Sequence, residues 1–472
     1  MWPAVWIAAA SAALSVALAP AVVNGDGLGY LDASTTDALY PGHLAFLPLL
    51  RGLRWLFASG APPVDGLAIA RALSATSGAV AVLALAAAAR RLGASATVAA
   101  AGLAASFGLI AAASDVETYA PALAALALAL WAIARRQGGG GIGWLAGATT
   151  AVAGAALLHV ENLLFVLPAA LALRRRDRAP LAGGVMLIVS GAYALAMHAR
   201  GLAWLGGASH GFHYPLRAAT PAIALYGACK ALVFSPYPYE ASWPSVLAHF
   251  ALGAAALIAL VVLARGGKLP LGRAASAAWL LPYAAVGAAF FASDSERWVF
   301  LLPLAWLTVA AAPRERRRAA LAVAALMAIA NVAVWWPRAR DDRFRARAHA
   351  AAAHARAGDL VISPGHGWDE YVGFYDRVDV ERFPLVYFAG ALGGREPLAR
   401  ALADTAARAR AGGARILLVR LNRDETADPL GWKDLAQFGV TRDDAAALLP
   451  PGRRVPLGDG VEELAPLDPR AP

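Results

Sequence analysis

Residues 24–55 read NGDGLGYLDASTTDALYPGHLAFLPLLRGLRW and follow directly on an apolar run that ends at Val23. The stretch combines glycines, aspartates and a histidine, and a long series of further apolar runs comes after it. Acidic side chains in a short loop at a bilayer surface are not needed for insertion, so Asp26 and Asp32 are candidates for chemistry. The plain alternative is a solvated loop in which Asp26-Gly27 is a turn signal.

The composition is that of an integral membrane protein. The chain has 472 residues, of which 59% are hydrophobic and 16% charged, and its mean hydropathy is +0.53. A soluble domain has about 25% charged residues. The single cysteine, Cys229, excludes an intramolecular disulfide and any CxxC metal or redox motif. The net charge of +10 comes largely from short basic clusters between apolar runs, a pattern that indicates membrane topology and no nucleic-acid partner.

The apolar runs predict a polytopic α-helical protein. A helix needs about 17–25 apolar residues to cross a bilayer, and by this rule we count about eleven candidate spans. The first run lacks a basic leader, so it is interpreted as a retained helix rather than a removed signal. The predicted spans are a first run ending near Val23, residues 67–89, 94–113 and 119–134, a fifth run ending near His159, and residues 162–173, 181–197, 246–264, 274–291, 298–312 and 319–336.

The connections between these runs alternate in charge. Clusters around Arg90, Arg135, Arg175 and Arg316 fall on alternate connections, which are cytoplasmic by the positive-inside rule. The remaining connections hold nearly all of the acidic and histidine residues of the membrane part, so we predict a functional face on the outer side of the plasma (inner) membrane. These residues are Asp26, Asp115, Glu117, His159, Glu161, His210, His213, Glu240, Asp294 and Glu296.

The composition changes after Trp336, which divides the chain into a membrane domain, 1–336, and a soluble domain, 337–472. Strand-like and helix-like segments alternate in the soluble part, which predicts a small α/β domain. With an odd number of spans this domain lies outside the membrane; with one span fewer it lies in the cytoplasm. The predicted strands are 358–363, 383–389 and 415–421, the predicted helix is 397–411, and residues 364–371 are either a ligand-binding strand end or a plain turn.

Residues 44–57 predict an amphipathic helix on the membrane surface. The segment is apolar, and Arg51 and Arg54 lie three positions apart on one face. The chain has no clear internal repeats.

Two acidic motifs precede apolar runs. Ser114 and Glu117 fit the capping box S-x-x-E, which explains Glu117 without a function but does not explain Asp115. Ser293 and Glu296 repeat the pattern, so we predict that Glu296 is a helix cap.

Arg297 and the pair His159 and Glu161 are further candidates. Arg297 lies at the outer end of a predicted helix, away from every cytoplasmic cluster; it either snorkels to the interface or binds phosphate, which the guanidinium fork suits. His159 and Glu161 point into a shared outer cavity or form a hydrogen-bonded structural pair. Two such ligands do not make a metal site.

The order of these motifs resembles the GT-C membrane glycosyltransferases of the protein O-mannosyltransferase and aminoarabinose-transferase type. The resemblance covers roughly residues 1–336 and has one departure, because the first loop lacks the adjacent Asp-Glu pair common in that family. The motifs that carry it are Asp26-Gly-x-Gly-Tyr30, Tyr40-Pro-Gly-His43, Asp115-Val-Glu117-Thr-Tyr119-Ala, Glu296-Arg297-Trp298 and Leu301-Leu302-Pro303.

The resemblance implies a polyprenyl-phosphate-linked sugar donor, catalysis on the outer face, and a glycan, lipid or protein acceptor. Asp26 would then take a proton from the acceptor hydroxyl, with Asp115 as the second catalytic carboxylate. Both offer oxygen ligands that suit Mg²⁺ or Mn²⁺, but whether a cation assists stays open. The predicted donor-binding or substrate-binding residues are Tyr30, His43, Glu117, Tyr119, His159, Glu161 and Arg297.

Two other classes compete with this prediction. A transporter or flippase for a lipid-linked glycan predicts ionisable residues in mid-helix, or interrupted helices in matching halves. The predicted spans are almost purely Ala, Leu, Val and Gly at their centres, which counts against it. A non-catalytic assembly protein predicts that Asp26 can be lost without consequence.

Overall fold

The computed structural model divides into two compact units. The first comprises residues 1–20, 29–211 and 215–340, and the second comprises 21–28, 212–214 and 341–472. The candidate residues His210, His213 and Glu240, and most of the segment 364–371, lie outside the described residues. The structure describes residues 1–36, 39–58, 65–200, 220–236, 242–289, 292–365, 375–392, 394–419, 435–436, 438–458 and 460–466.

The first unit is built from helices, as the composition predicts. Short 3₁₀ turns at Pro41–His43, Val160–Phe165, Ser295–Leu301 and Arg314–Arg316 join several of them. The helices are α1 (Trp2–Ala17), α2 (Gly25–Ala33), which begins in the second unit, α3 (Phe46–Ala58), α4 (Gly66–Arg91), α5 (Ala96–Ala105), α6 (Phe107–Ser114), α7 (Tyr119–Gln137), α8 (Ile142–Leu158), α9 (Val166–Ala172), α10 (Arg175–His198), α11 (Pro221–Leu232), α12 (Trp243–Ala264), α13 (Arg273–Ala289), α14 (Leu302–Ala310) and α15 (Arg317–Ala339).

Four helices in the described part of the chain are long and apolar enough to cross a membrane: α4, α10, α12 and the run that contains α15. The pair α5 and α6 is a fifth candidate, although its axes bend by 65° at Ser106. We therefore describe a multi-pass membrane protein, while the count of about eleven spans stays a prediction.

Small residues let these helices pack closely. A Cβ at Gly78 on α4 would lie 2.8 Å from the Ala113 side chain, and one at Gly102 on α5 would overlap the ring of Trp306. Without a hydrophobic driving force inside lipid, such close contacts are what hold apolar helices together.

The stretch that follows Val23 is a helix, α2, and not the loop that the glycines predict. Asn24 explains its start, since its side-chain oxygen accepts a hydrogen bond from the Gly27 amide. Two arginines explain its end: Arg51 donates to the Ala33 carbonyl at 3.1 Å and Arg54 to the Leu31 carbonyl at 3.3 Å. These charges cap the carbonyl end of the helix, where the macrodipole favours cations.

The predicted surface helix is confirmed as the helix α3. Its last turn leaves Trp55 80% exposed, and Leu56 and Phe57 are also exposed. Arg51 and Arg54 lie on one face as expected, and that face contacts the end of α2. Its placement on a membrane stays a prediction.

The second unit contains one five-stranded sheet of order β2-β1-β3-β5-β4. Strands β2, β1 and β3 are parallel, whereas β5 and β4 continue the sheet in antiparallel pairing. Leu360 starts β1 and pairs with Glu381 of β2 on one side and Ile416 of β3 on the other. The elements are α16 (Arg343–His354), β1 (Leu360–Ser363), β2 (Glu381–Pro384), α17 (Leu385–Leu392), α18 (Arg395–Ala411), β3 (Ile416–Val419), α19 (Arg442–Leu448), β4 (Arg453–Gly458) and β5 (Val461–Ala465).

One predicted strand of this unit is partly wrong. The segment 383–389 continues a strand only to Pro384 and is helical from Leu385 onward. Leu385, Val386 and Ala389 are all buried in the core of the unit, and this i, i+1, i+4 spacing is one face of a helix. Packing against the sheet therefore overrides the strand propensity of the sequence LVYF.

Candidate active site

Four predicted site residues meet in one column of rings in the first unit. His43 lies 5.9 Å from Tyr30 and 4.8 Å from His159, measured between ring centroids. The rings of His159 and Tyr119 are 4.6 Å apart, and Phe300 closes the column 5.8 Å from Tyr119. These five residues come from α2, α7 and three connections, and their rings form one continuous row. We call this row of Tyr30, His43, His159, Tyr119 and Phe300 the ring column.

His43 is held in one tautomer. Its Nδ1–H donates to the Leu158 carbonyl at 3.2 Å, which leaves the lone pair on Nε2. Burial lowers the pKa of His43 to about 4; the bond to Leu158 opposes this shift, and the nearby charge of Arg297 adds to it. The imidazole is therefore neutral at physiological pH and presents an acceptor nitrogen.

His159 is 2% exposed, and neither of its ring nitrogens has a hydrogen-bond partner among the described residues. Its Nδ1 lies 4.0 Å from Oε2 of Glu161. Buried polar atoms are nearly always paired in folded proteins, so two unpaired ring nitrogens are an unusual feature of the described residues.

Arg297 is held by Glu161. Nη1 of Arg297 donates to Oε1 of Glu161 at 2.8 Å, and the two side chains are 23% and 14% exposed. Asp294 caps the turn before Arg297 by accepting from the Glu296 amide at 3.2 Å. The cap is therefore Asp294, and the prediction that Glu296 is a helix cap is wrong.

Asp115 and Glu117 are buried, at 7% and 4% exposure, between α6 and α7. The capping box predicted from Ser114 and Glu117 does not form, because α7 starts only after Thr118 and no side chain caps it. Ser114 instead donates to the Ala111 carbonyl, and Asp115 accepts from the Val116 amide at 2.8 Å. Capping thus leaves the burial of Glu117 unexplained.

Two residues that sequence analysis missed support the ring column from behind. The Tyr283 hydroxyl donates to Oδ1 of Asn162 at 2.9 Å, and Nδ2 of Asn162 donates to the His159 carbonyl at 3.3 Å. Asn162 is fully buried. The signal in the sequence that could have identified them is that Asn162 and Tyr283 are polar residues within predicted apolar runs.

Asp26 lies in the second unit, in the first turn of α2, and its side chain is exposed. The roles of Asp26 and Asp115 as the two catalytic carboxylates therefore stay a prediction. Within the described parts of both units, no group of three or more His, Cys, Asp or Glu side chains has the geometry of a metal site.

An apolar cavity of about 540 Å³ lies in the first unit between α11, α12, α13 and α14. Trp298, the residue after Arg297, lines it, so a charged group and an apolar space are neighbours in sequence. Its other lining residues include Leu232, Leu257, Leu280, Leu302 and, at the far end, Arg273.

Solved structures similar to this one have the fold that the motifs indicate. The crystal structure of ArnT from Cupriavidus metallidurans in the apo state superposes with a TM-score of 0.60 at 12% identity, over 98% of this chain and 99% of that one. The same protein bound to undecaprenyl phosphate gives 0.56 at 14% identity, over 98% of both chains. This fold is similar to that of ArnT. The predicted GT-C-like architecture is thereby confirmed. No protein-family profile and no curated protein sequence matches the chain.

Proposed function

We propose that this chain is a membrane glycosyltransferase that moves a sugar from a polyprenyl-phosphate donor to an acceptor hydroxyl on the outer face of the membrane. The observation that carries the proposal is the position of Arg297, a guanidinium held by Glu161 and followed by Trp298 at the wall of an apolar cavity. Trp298 lines the apolar cavity and Arg297 precedes it in the chain, so the cavity is proposed to hold a hydrocarbon chain and Arg297 to bind the phosphate at its end. The ArnT structure with undecaprenyl phosphate supports the same donor class.

In this reaction the acceptor oxygen forms a bond to the anomeric carbon while the bond from that carbon to the phosphate oxygen breaks. The leaving phosphate receives the electron pair, and Arg297 stabilises the charge that develops on it. Asp26 is proposed to take the hydroxyl proton, and Asp115 is proposed as the second catalytic carboxylate.

The ring column is proposed to bind the sugar. Aromatic faces suit the apolar C–H face of a sugar ring, and the neutral Nε2 of His43 can accept a hydrogen bond from a sugar hydroxyl.

The transporter alternative gains one observation, the broken pair α5 and α6. In transporters of that kind, the unwound carbonyls face a substrate or ion. Here the Ala105 carbonyl at the break accepts a hydrogen bond from the side chain of Asn331 at 2.8 Å. A protein side chain thus already occupies this carbonyl, which favours the transferase.

The test is binding of undecaprenyl phosphate to purified protein, with undecaprenol as the control that lacks the phosphate. We expect the phosphate to bind more tightly, and Ala277→Trp, which fills the cavity, to weaken it. Leu281→Trp on the same helix is the matched control, because Leu281 is 66% exposed and does not line the cavity. Equal binding of the two lipids, or equal effects of the two variants, would contradict the proposed donor site.

Turnover is measured as release of polyprenyl phosphate from a polyprenyl-phosphate sugar, with a membrane extract as the source of acceptor. Transbilayer movement of the donor without release would favour the flippase.

A further inference from the structure

Asn331 lies in the middle of α15, in a helix that is otherwise apolar between residues 319 and 336. Its side chain is completely buried. A buried amide is costly unless its donors and acceptor are all paired, so its partners reveal what it does.

The first partner is the break between α5 and α6. Ser106 has extended backbone angles of φ −72° and ψ 132°, and the helix axes bend by 65° there. A break of this kind removes the next turn of helix and leaves a carbonyl without its usual partner. Nδ2 of Asn331 donates to that carbonyl, the one of Ala105, at 2.8 Å.

The second partner is the end of α11. Nδ2 of Asn331 also donates to the Leu232 carbonyl at 2.9 Å, and its Oδ1 accepts from the Phe234 amide at 2.8 Å. Both N–H groups and the oxygen are thereby satisfied. One side chain ties together two helix ends from distant parts of the sequence.

One of the two ends that Asn331 holds precedes α6, and the other end of α6 leads into the candidate site. α6 leads directly into Asp115 and Glu117. A Cβ at Gly108 on α6 would lie 3.4 Å from the side chain of Val299, in the turn that contains Arg297. The direction of α6 therefore sets how Asp115 stands relative to Arg297.

Trp306 holds the other side of the break. Its Nε1–H donates to the Ser106 hydroxyl at 2.9 Å, and its ring lies against α5 at Gly102. Trp306 thus fixes α5, whereas Asn331 fixes the point from which α6 departs.

We propose that Asn331 is a positioning residue for sugar transfer: by closing the break at Ser106 and the end of α11, it sets the direction of α6, which packs on the turn that contains Arg297, and so the placement of Asp115 and Glu117 after α6. This inference rests on the proposed function. Asn331 does not touch substrate; it acts through the backbone of α6.

The test compares Asn331→Leu, which removes all three hydrogen bonds, with Asn331→Asp, which keeps an acceptor for the Phe234 amide. Met327→Ala is the control, because Met327 is buried one turn earlier on the same helix and its loss loosens packing without touching the break. A misplacement of about 1 Å at an active site costs about 10²-fold in rate. We expect kcat to fall on that scale in both Asn331 variants, with donor KM within about threefold of wild type.

Hydrogen exchange supplies the readout that separates positioning from stability. Amides of α6 should exchange faster in both Asn331 variants, and not in Met327→Ala. If kcat per folded protein is unchanged in the Asn331 variants, or falls equally in Met327→Ala, the inference is overturned. If wild-type protein releases no polyprenyl phosphate from the donor, the proposed function fails and this role fails with it, which is a result distinct from an active Asn331→Leu. Should Asn331→Leu or Asn331→Asp not fold, Asn331→Gln, which keeps the amide group but displaces it by one methylene, decides.

Discussion

Arg297 and Glu161 form an ion pair with an N···O distance of 2.8 Å across 136 positions of sequence. The pair joins the turn before α14 to the turn between α8 and α9. Glu161 was expected to bind substrate; in the structure it binds the arginine. Nη1 of the guanidinium is thereby bonded to Glu161, and this bond fixes the orientation of the rest of the guanidinium.

The first prediction concerns this pair. Arg297→Ala should weaken binding of undecaprenyl phosphate by roughly 10–100-fold, since hydrogen bonds to charged groups contribute about 1.5–3 kcal/mol. Arg297→Lys should weaken binding less, because lysine keeps the positive charge and loses only the forked geometry of the guanidinium. Glu161→Gln should lower affinity mildly by releasing the fork. Binding is measured by titration of purified protein.

The control is an ion pair of similar length in the second unit. Arg395 and Asp444 lie 2.7 Å apart, and Arg395 is half exposed. Arg395→Ala should leave lipid binding unchanged, because exposed pairs contribute about 0–1 kcal/mol. Equal affinity in Arg297→Ala and wild type would reduce Arg297 to a snorkelling anchor.

The second prediction is the pH dependence that His43 confers. The pKa of His43 falls from 6.5 in the unfolded chain to about 4 in the fold. As pH drops from about 6.5 to about 4, His43 binds a proton in the unfolded chain but not in the folded protein, so the free energy of unfolding falls. The neutral His43 side chain makes its full contribution to the free energy of unfolding above pH 6.5. Over that window wild type should lose roughly 1–3 kcal/mol more than His43→Gln.

Thermal unfolding in detergent between pH 4 and 8 measures this difference. The two proteins should run parallel above pH 6.5 and diverge below it. Parallel curves over the whole range would mean that His43 titrates alike in the folded and unfolded states.

Apolar periodicity and length made the long helices predictable. The predicted spans at 67–89, 181–197, 246–264 and 319–336 are all helices, because nothing in those runs competes with helix formation. Side-chain chemistry at helix ends was less predictable. The glycines of residues 25–29 indicate a loop, yet Asn24, Arg51 and Arg54 cap both ends of a helix there.

The candidate site was predictable as a set of residues but not as an arrangement. The order of the motifs and their common side selected Tyr30, His43, Tyr119 and His159, and in the structure the rings of these residues contact one another edge-on or tilted. Asn331 escaped notice because its role depends on carbonyls at Ala105 and Leu232, which sequence does not place together. The capping boxes predicted at Ser114 and Ser293 do not form for a related reason. A cap requires that the helix begin directly after the capping residue, and tertiary packing places the helix starts elsewhere.

The third prediction is topological. Arg90, Arg135, Arg175 and Arg316 are predicted in the cytoplasm, and Asp32 and the C-terminus outside. Cysteines introduced at position 32 or 471 should react with an impermeant thiol reagent in intact cells. The native Cys229 is 1% exposed and should contribute little background. Labelling at 32 with protection at 471 would mean that the number of spans differs by one from the predicted count.

The last prediction assigns the proton acceptor. Asp26 and Asp32 lie on the same helix, α2, and both are exposed, which makes them a matched pair. Asp26→Asn keeps size and hydrogen bonding but removes the acceptor, so the transfer rate should fall by ~10²–10⁴-fold, as general-base loss typically does. Asp32→Asn should have a mild effect.

Stability distinguishes this chemical role from a structural one. Asp26 stands in the first turn of α2, where a carboxylate favours the helix dipole by about 0.3–1 kcal/mol. Asp26→Asn should therefore lower the melting temperature only slightly while nearly abolishing transfer from a polyprenyl-phosphate sugar by purified protein. Near-normal turnover in Asp26→Asn, or equal losses in Asp26→Asn and Asp32→Asn, would remove Asp26 from the mechanism and leave the proton to another group of the site.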